Sequence, residues 1–271
     1  MILVELEKLA RRPRTWASVG LLCLLPAAVA VLLATTRVGT AAGEGPAFLS
    51  AVLANGSLFP AAALAIVLPL FLPVAVAVVG GDAVAGEASA GMLRYLVVRP
   101  VGRTRLLVAK LVALTAFVVT AVVAVAVSGY LVGVLLLPTG PGGDVVTSVS
   151  GPALSGGQVA LRIGAAMGYI ALSMLGVGTI ALFLSTVTDS ALGATLGAIA
   201  ALVASQLFVA LDAASAIRPY LPTRYWLAWI DLFREPILWR DIERGIGIQA
   251  VYVAVFLGLA WANFATKDVT S

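Results

Sequence analysis

The chain has 271 residues, of which 61% are hydrophobic and only 11% are charged, with a net charge of +4. Soluble domains contain about 45–50% apolar residues. Seventeen basic and thirteen acidic residues cannot cover the surface of a soluble protein of this length, so the composition excludes a soluble domain and indicates an integral membrane protein.

The apolar residues are gathered in six segments that contain no Asp, Glu, Lys or Arg. About 20 residues at a rise of 1.5 Å cross the ~30 Å hydrocarbon core, and each segment is long enough. We therefore predict an all-α integral membrane protein with six transmembrane helices, an N-terminal amphipathic interfacial helix and a cytoplasmic coupling helix between spans 2 and 3. The predicted spans are roughly Thr15–Thr36, Leu58–Gly81, Leu111–Pro138, Ile163–Thr188, Ser190–Leu211 and Ile246–Thr266.

The segment before the first span, residues 1–14, has the pattern of an amphipathic helix. At about 100° per residue, most of its apolar residues share one face and its basic residues share the other. Glu5 and Glu7 lie near its start and the arginines near its end, as the helix dipole favours. This pattern predicts a helix lying flat at the membrane surface. The alternative is a positively charged topology anchor with no further role.

Basic residues also predict the orientation in the membrane. They precede the first span and crowd the second loop, residues 82–105, but are rare in the first and third loops. By the positive-inside rule, both termini and the second loop are expected in the cytoplasm. The fifth loop, residues 212–245, is then extracytoplasmic although it contains five arginines. We predict an amphipathic surface loop with its tryptophans and tyrosines in the headgroup zone; the alternative is a re-entrant stretch at Trp226–Trp239.

Prolines and glycines mark irregular positions along the chain. Pro69 and Pro73 predict an irregular second span, since proline cannot donate a helical hydrogen bond. The Gly80–Gly81 pair is expected to let the backbone leave this span, with a short helix over Ala85–Val97 to follow. Gly193 and Gly197, in the fifth span, have the small-xxx-small spacing of close helix contacts and predict a dimer contact.

The chain lacks the residues that several kinds of catalysis and metal binding require. The chain has no histidine and a single cysteine, Cys23, so histidine catalysis, histidine metal sites and an intrachain disulfide are excluded. It also has no G-x-x-x-x-G-K-[ST] loop for ATP. The predicted spans contain no acidic or basic residue near their middles, unlike most ion-coupled transporters. We expect no catalytic residue and no metal site, and an energy source in another subunit.

The stretch GEASAGMLRYLVVRPVGRTRLLVAK, Gly86–Lys110, resembles the signature of permease subunits of type-two ATP-binding-cassette (ABC) exporters. This family includes drug and antibiotic-resistance permeases and nitrous-oxide-reductase maturation permeases. Met92 and Gly102 replace the usual Thr and Ser. VELEKLARRPRTW, YLPTRYWLAWIDLF and FATKDV also resemble family segments. The matching residues of the signature are Glu87, Gly91, Leu93, Arg94, Leu96, Arg99, Pro100, Val101, Arg103 and Lys110.

The resemblance implies a homodimer or heterodimer of permeases in a plasma or inner membrane, with two separate ATPase subunits that bind ATP and Mg²⁺. No nucleic-acid partner is expected. The smooth apolar spans favour hydrophobic or amphipathic cargo, as in multidrug efflux. The alternatives are a non-transporting sensor, immunity or membrane-assembly subunit and, with less support, a lipid-modifying enzyme. The resemblance assigns ATPase docking to Glu87, Gly91, Arg94, Arg99, Pro100 and Arg103.

Overall fold

The computed structural model describes residues 1–36, 56–89, 102–137, 145–147 and 153–266. Two three-residue strands, β1 (Val145–Thr147) and β2 (Ala153–Ser155), pair in antiparallel fashion. Short 3₁₀ helices cover Gly56–Leu58, Asp212–Ala214, Arg218–Tyr220 and Ala228–Phe233. The α-helices are α1 (Ile2–Arg11), α2 (Pro13–Thr36), α3 (Phe59–Val67), α4 (Phe71–Ser89), α5 (Arg103–Leu136), α6 (Gly156–Val187), α7 (Ala191–Ala210) and α8 (Trp239–Thr266).

Within these described ranges, six helices are long and apolar enough to cross a membrane: α2 and α4 to α8. The predicted all-α fold with six spans is confirmed. The short helix α1 precedes the first of them, as the amphipathic pattern indicated, and Arg12 between α1 and α2 has an extended backbone that lets the chain change direction.

The second apolar segment is broken rather than continuous. Helix α3 ends at Val67, a turn covers residues 68–70, and α4 begins at Phe71. Pro69 has no N–H to donate, which interrupts the helical ladder at this turn. The predicted irregularity is therefore confirmed. Pro73 lies in the first turn of α4, where a missing N–H leaves no hydrogen bond unmade.

Helix α4 also continues past the point where the sequence indicated its end. It passes through Gly80 and Gly81 and ends at Ser89, so the predicted exit at the glycine pair is wrong. These glycines serve packing instead: a Cβ atom on Gly81 would lie 2.5 Å from Thr195 Oγ1 of α7. Consequently Asp82 and Glu87 are part of the spanning helix. The predicted helix over residues 85–97 lies mostly outside the described residues.

Helix α6 is the centre of the bundle, since it packs against α4, α5, α7 and α8. Helix α5 in turn packs against α2 and α3. The contact with α3 is close because Gly129 and Gly133 of α5 lie in it, and a Cβ atom on Gly129 would lie 2.8 Å from Ala63 Cβ. Here the small-xxx-small spacing serves packing within one chain.

The segment between α7 and α8 differs from the expected surface loop. Three of its five tryptophans and tyrosines, Tyr225, Trp226 and Trp229, are buried in the protein instead of facing headgroups, while Tyr220 and Trp239 are exposed. The 3₁₀ helix Ala228–Phe233 packs against α6 and α8, and Tyr169 of α6 donates a 2.6 Å hydrogen bond to Tyr225 O. These contacts draw the aromatic residues inward. Helix α8 correspondingly begins at Trp239, before the predicted start of the last span.

Candidate coupling site

Two acids and two lysines form a closed ring of ion pairs where α1 meets α4 and α5. Glu5 and Lys8 lie on α1, Glu87 near the end of α4, and Lys110 near the start of α5. Lys8 Nζ lies 3.0 Å from Glu5 Oε1 and 3.0 Å from Glu87 Oε1. Lys110 Nζ lies 2.8 Å from Glu87 Oε2 and 3.5 Å from Glu5 Oε2. In this charge ring each charge has two neighbours of opposite sign, so the ring is neutral.

The two members of the charge ring on α4 and α5 are almost fully buried, which makes their pairing necessary. The side chains of Glu87 and Lys110 are 5% and 3% exposed. An unpaired charge at such a position would be strongly unfavourable. Burial alone would lower the pKa of the Lys8 ammonium, but hydrogen bonds and charges from Glu5 and Glu87 outweigh it and raise that pKa above its ordinary value. The ring therefore holds α1 against both spanning helices.

A second acid ties the junction of α1 and α2 to α4. Asp82 Oδ2 lies 2.5 Å from Arg12 Nη1 and 3.3 Å from Arg14 Nη2. Asp82 precedes Glu87 on α4 by more than one helical turn, so the two acids contact different parts of the N-terminal region. Together with the charge ring, this pairing fixes the position of α1 along α4.

At the same end of the bundle, the start of α5 is joined to the end of α8. Arg103 Nη1 donates to Ala265 O at 2.7 Å and to Phe264 O at 3.4 Å. The last carbonyls of a helix have no partner inside the helix, so the guanidinium satisfies them. Trp261 Nε1 donates a further 3.0 Å hydrogen bond to Thr104 Oγ1. A displacement of the start of α5 would therefore also displace the end of α8.

The structure brings two of the residues assigned to ATPase docking to one end of the bundle. Glu87 belongs to the charge ring, and Arg103 contacts α8. The other four, Gly91, Arg94, Arg99 and Pro100, lie outside the described residues. Helix α4 ends just before this segment and α5 begins just after it, so its two flanks are the helices that the charge ring holds.

The two glycines of the predicted dimer contact have different surroundings. Gly193 is exposed on α7, next to the exposed Leu192. Gly197 is half-buried, and a Cβ atom there would lie 3.2 Å from Leu184 Cδ1 of α6. Gly197 therefore already contributes to packing within the chain, while Gly193 leaves a surface open. The dimer contact stays a prediction.

Sequence reasoning missed Glu5, Lys8 and Asp82 as members of an interhelical site. Lys8 and Glu87 are 79 positions apart, and Glu5 and Lys110 are 105 apart, so no local spacing reveals their contact. One signal was present: although the chain has few charges, four acidic and nine basic residues lie in residues 1–14 and 82–110. Opposite charges on apolar helices tend to pair.

Six apolar helices of spanning length, joined by ion pairs at one end of the bundle, define a multi-pass membrane protein. Residues 1–187 match the model of a protein family that is described as "ABC-2 family transporter protein". The chain belongs to this family, and the match spans α1 to α6 with the whole charge ring. No curated protein matches the chain. As a member of this family, the chain is the membrane permease subunit of an ABC transporter. Such permeases work with an ABC ATPase.

Proposed function

We propose that this permease exports a hydrophobic or amphipathic substrate from the cytoplasm, driven by ATP hydrolysis in separate ATPase subunits that dock on residues 90–101. The observation that carries the proposal is the charge ring, because it joins α1 to both helices that flank this segment. A force applied there would reach two spanning helices and the interfacial helix together. The ATPase subunits would hold the ATP and Mg²⁺.

The docking surface would be basic. Arg94 and Arg99 belong to the segment, and Arg105 is exposed at the start of α5. Charge-assisted hydrogen bonds from arginines to carboxylates are among the strong polar contacts of proteins, and salt weakens them where they are exposed. An acidic groove on the ATPase is the complementary partner. The positive-inside rule supports a cytoplasmic location for this surface and for both termini.

A cleft between α4 and α7 supports the class of cargo. It has a volume of about 290 Å³ and lies beside the break before α4. The lining is apolar except for the half-buried amide of Gln206 and the indole of Trp226. An apolar molecule with one hydrogen-bond acceptor would fit this chemistry, with Gln206 as the donor. Its lining residues are Pro69, Leu70, Pro73, Val74, Ile199, Leu202, Val203, Gln206, Leu207 and Trp226.

The open face of α7 supports a dimer of permeases in the plasma or inner membrane. Leu192, Leu196 and Gly193 are on this helix and are exposed. A small residue between large apolar ones permits close approach of a second helix in lipid. The same face suits a second copy of this chain and a related permease, so a homodimer and a heterodimer are both compatible with it.

Capture of the ATPase from native membranes tests the proposal. Tagged permease is purified at two salt concentrations, and ATP hydrolysis by the captured material is measured. Arg94→Ala with Arg99→Ala should reduce the captured ATPase activity, with the larger loss at high salt. Arg240→Ala is the matched control, because Arg240 is exposed on α8 at the opposite end of the bundle. Equal capture by all three proteins would refute docking at residues 90–101.

The cargo class has its own test. In the captured complex, stimulation of ATP hydrolysis is measured with amphipathic dyes that carry a hydrogen-bond acceptor and with pure hydrocarbons. Gln206→Leu should reduce stimulation by the acceptor-bearing dyes, because leucine keeps the apolar volume but has no N–H donor. Thr35→Val serves as the control, since it removes an exposed hydroxyl of α2 that bonds to its own helix. No stimulation by either class of compound would contradict the proposed cargo.

A further inference from the structure

A second opening in the bundle, here named the α5–α6 groove, lies between α5 and α6 beside the start of α3. Its lining includes residues 126–130 of α5, residues 156–167 of α6, and Ser57 and Pro60. It has a volume of about 510 Å³, which is within the range of small-molecule binding sites. None of its described lining residues also lines the cleft between α4 and α7. The groove is therefore separate from the site proposed for the cargo.

The α5–α6 groove exists because the contact between the two helices differs along their length. Toward the charge ring they pack closely, since a Cβ atom on Gly178 of α6 would lie 2.7 Å from Leu114 Cδ2 of α5. Gly164 lies 14 positions earlier on α6, and no described atom is within 4 Å of the place where its Cβ atom would be. In a membrane this space has to be filled, because an empty groove forfeits the dispersion contacts of its walls.

The depth of the α5–α6 groove matches one leaflet of a bilayer. Tyr130 lies 20 residues after Lys110 on α5, which is about 30 Å along a helix and equals the thickness of the hydrocarbon core. The charge ring that contains Lys110 lies at one boundary of the membrane, so Tyr130 lies at the other. Residues 156–167 extend about 16 Å along α6, close to half the hydrocarbon thickness. The groove thus runs from the boundary opposite to the charge ring to near the bilayer middle.

The polarity of the lining follows the same direction. Val127, Ile163 and Met167 make the deeper part apolar, whereas the hydroxyls of Ser57 and Tyr130 are at the boundary end. Tyr130 is 53% exposed, and its hydroxyl makes no hydrogen bond within the described part of the chain. A tyrosine at this depth offers an apolar ring and a hydroxyl to lipid. In a glycerophospholipid, the ester carbonyls lie at the boundary and the acyl chains lie below them.

We propose that the α5–α6 groove binds one acyl chain of a diester glycerophospholipid from the leaflet opposite to the charge ring. The chain occupies the space around Gly164, and an ester carbonyl of the same lipid accepts a hydrogen bond from the Tyr130 hydroxyl. The bound chain completes the packing between α5 and α6 where the protein leaves it open. Neither the ATPase nor the cargo takes part, so this inference does not depend on the proposed function.

Photolabelling of the full chain in lipid nanodiscs tests the α5–α6 groove. The probe is a diester phosphatidylethanolamine with a diazirine at the middle of one acyl chain, and labelled peptides are identified by mass spectrometry. Residues 126–130 and 156–167 should carry more label than the exposed surface of α8 around Gly247. Gly164→Phe should remove most of the label from the groove, because the aromatic ring would occupy the open space around this residue. Unchanged labelling in Gly164→Phe would overturn the proposal.

Gly247→Phe is the matched control. Gly247 and Gly164 are both exposed, and each is eight positions after the first residue of its helix. At both glycines, no described atom lies within 4 Å of the place of a Cβ atom. Gly247→Phe should leave the label in the groove unchanged. An equal loss of label in the two variants would show a general change in lipid contact and would overturn the groove as a site.

Tyr130→Phe tests the hydrogen bond with a change of one atom. Unlabelled diester phosphatidylethanolamine and its diether analogue, which has no ester carbonyl, are compared as competitors of the probe. In the unsubstituted protein, the diester should displace the probe at about one-fifth of the mole fraction that the diether requires, as expected for one hydrogen bond. In Tyr130→Phe the two lipids should be equally effective. Equal competition in both proteins would overturn the assigned contact.

A disulfide assay distinguishes a lipid from a second copy of the chain in the α5–α6 groove. Ala160 lines the groove and is exposed. In a Cys23→Ser background, Ala160→Cys should form no disulfide-linked dimer under oxidising conditions, because lipid occupies the groove. A dimer linked through position 160 would assign the groove to a second copy and would overturn the proposal.

Discussion

Removal of the Glu87 carboxylate should strongly destabilise the permease, although Glu87 lies near the end of α4. Glu87→Ala leaves Lys110, 3% exposed, without its closer partner, and among the described residues Glu5 at 3.5 Å is the acid that remains beside it. Breaking a buried ion pair by removing one partner costs about 3–5 kcal/mol. The remaining contact with Glu5 places the expected loss near the lower end, about 3 kcal/mol. At ~2–4 °C per kcal/mol for a chain of this size, the Tm should fall by on the order of 10 °C.

The assay is thermal unfolding of the purified permease, with an exposed pair on the same surface helix as the control. Glu7 and Arg11 form an ion pair with 59% and 80% exposed side chains, and such pairs contribute about 0–1 kcal/mol. Glu7→Ala should therefore change the Tm by no more than a few degrees. Glu87→Gln combined with Lys110→Met should lose less than the sum of the two single changes, since no buried charge is stranded. Equal shifts for Glu7→Ala and Glu87→Ala would refute the importance of the charge ring.

Three further expectations concern other parts of the chain. Arg103→Ala removes the donor to the last carbonyls of α8 and should lower the free energy of unfolding by about 1.5–3 kcal/mol, measured by denaturant titration; an unchanged midpoint would contradict it. Gly193→Leu with Gly197→Leu should abolish the dimer in cross-linking or light scattering, and a dimer of undiminished stability would assign these glycines to packing within the chain. In a cysteine-free background, a cysteine at Ser89 should be labelled from the cytoplasm and one at Ser215 from outside, and cytoplasmic labelling at Ser215 would contradict the predicted orientation.

The number and approximate places of the spanning helices could be predicted from sequence because each depends on local composition. An apolar run of spanning length has few alternatives to a membrane helix. The break at Pro69 was predictable for the same reason, since a missing N–H acts at its own position. The family resemblance was likewise carried by contiguous stretches, above all Gly86–Lys110, and the family match confirms it.

The remaining features depend on contacts between distant residues. From the local sequence, the Gly80–Gly81 pair predicts the end of a helix, but close packing against α6 and α7 keeps it helical. The sequence pattern predicts Trp226 and Trp229 in the headgroup zone, but both are buried in the folded protein. The charge ring joins Lys8 to Glu87, 79 positions apart, and Glu5 to Lys110, 105 positions apart. No pattern within one helix specifies such a partner.

The order in which the chain is synthesised determines when the charge ring can form. Chains are made from the N-terminus at about 5–20 residues per second, so Glu5 and Lys8 emerge from the ribosome on the order of ten seconds before Lys110. For most of that interval α1 has neither of its later partners, since Glu87 emerges only 23 residues before Lys110. Its apolar and basic faces suit a temporary place on the membrane surface. Helix α1 is made before its partners and would therefore dock late, and closure of the ring would complete this end of the nascent permease.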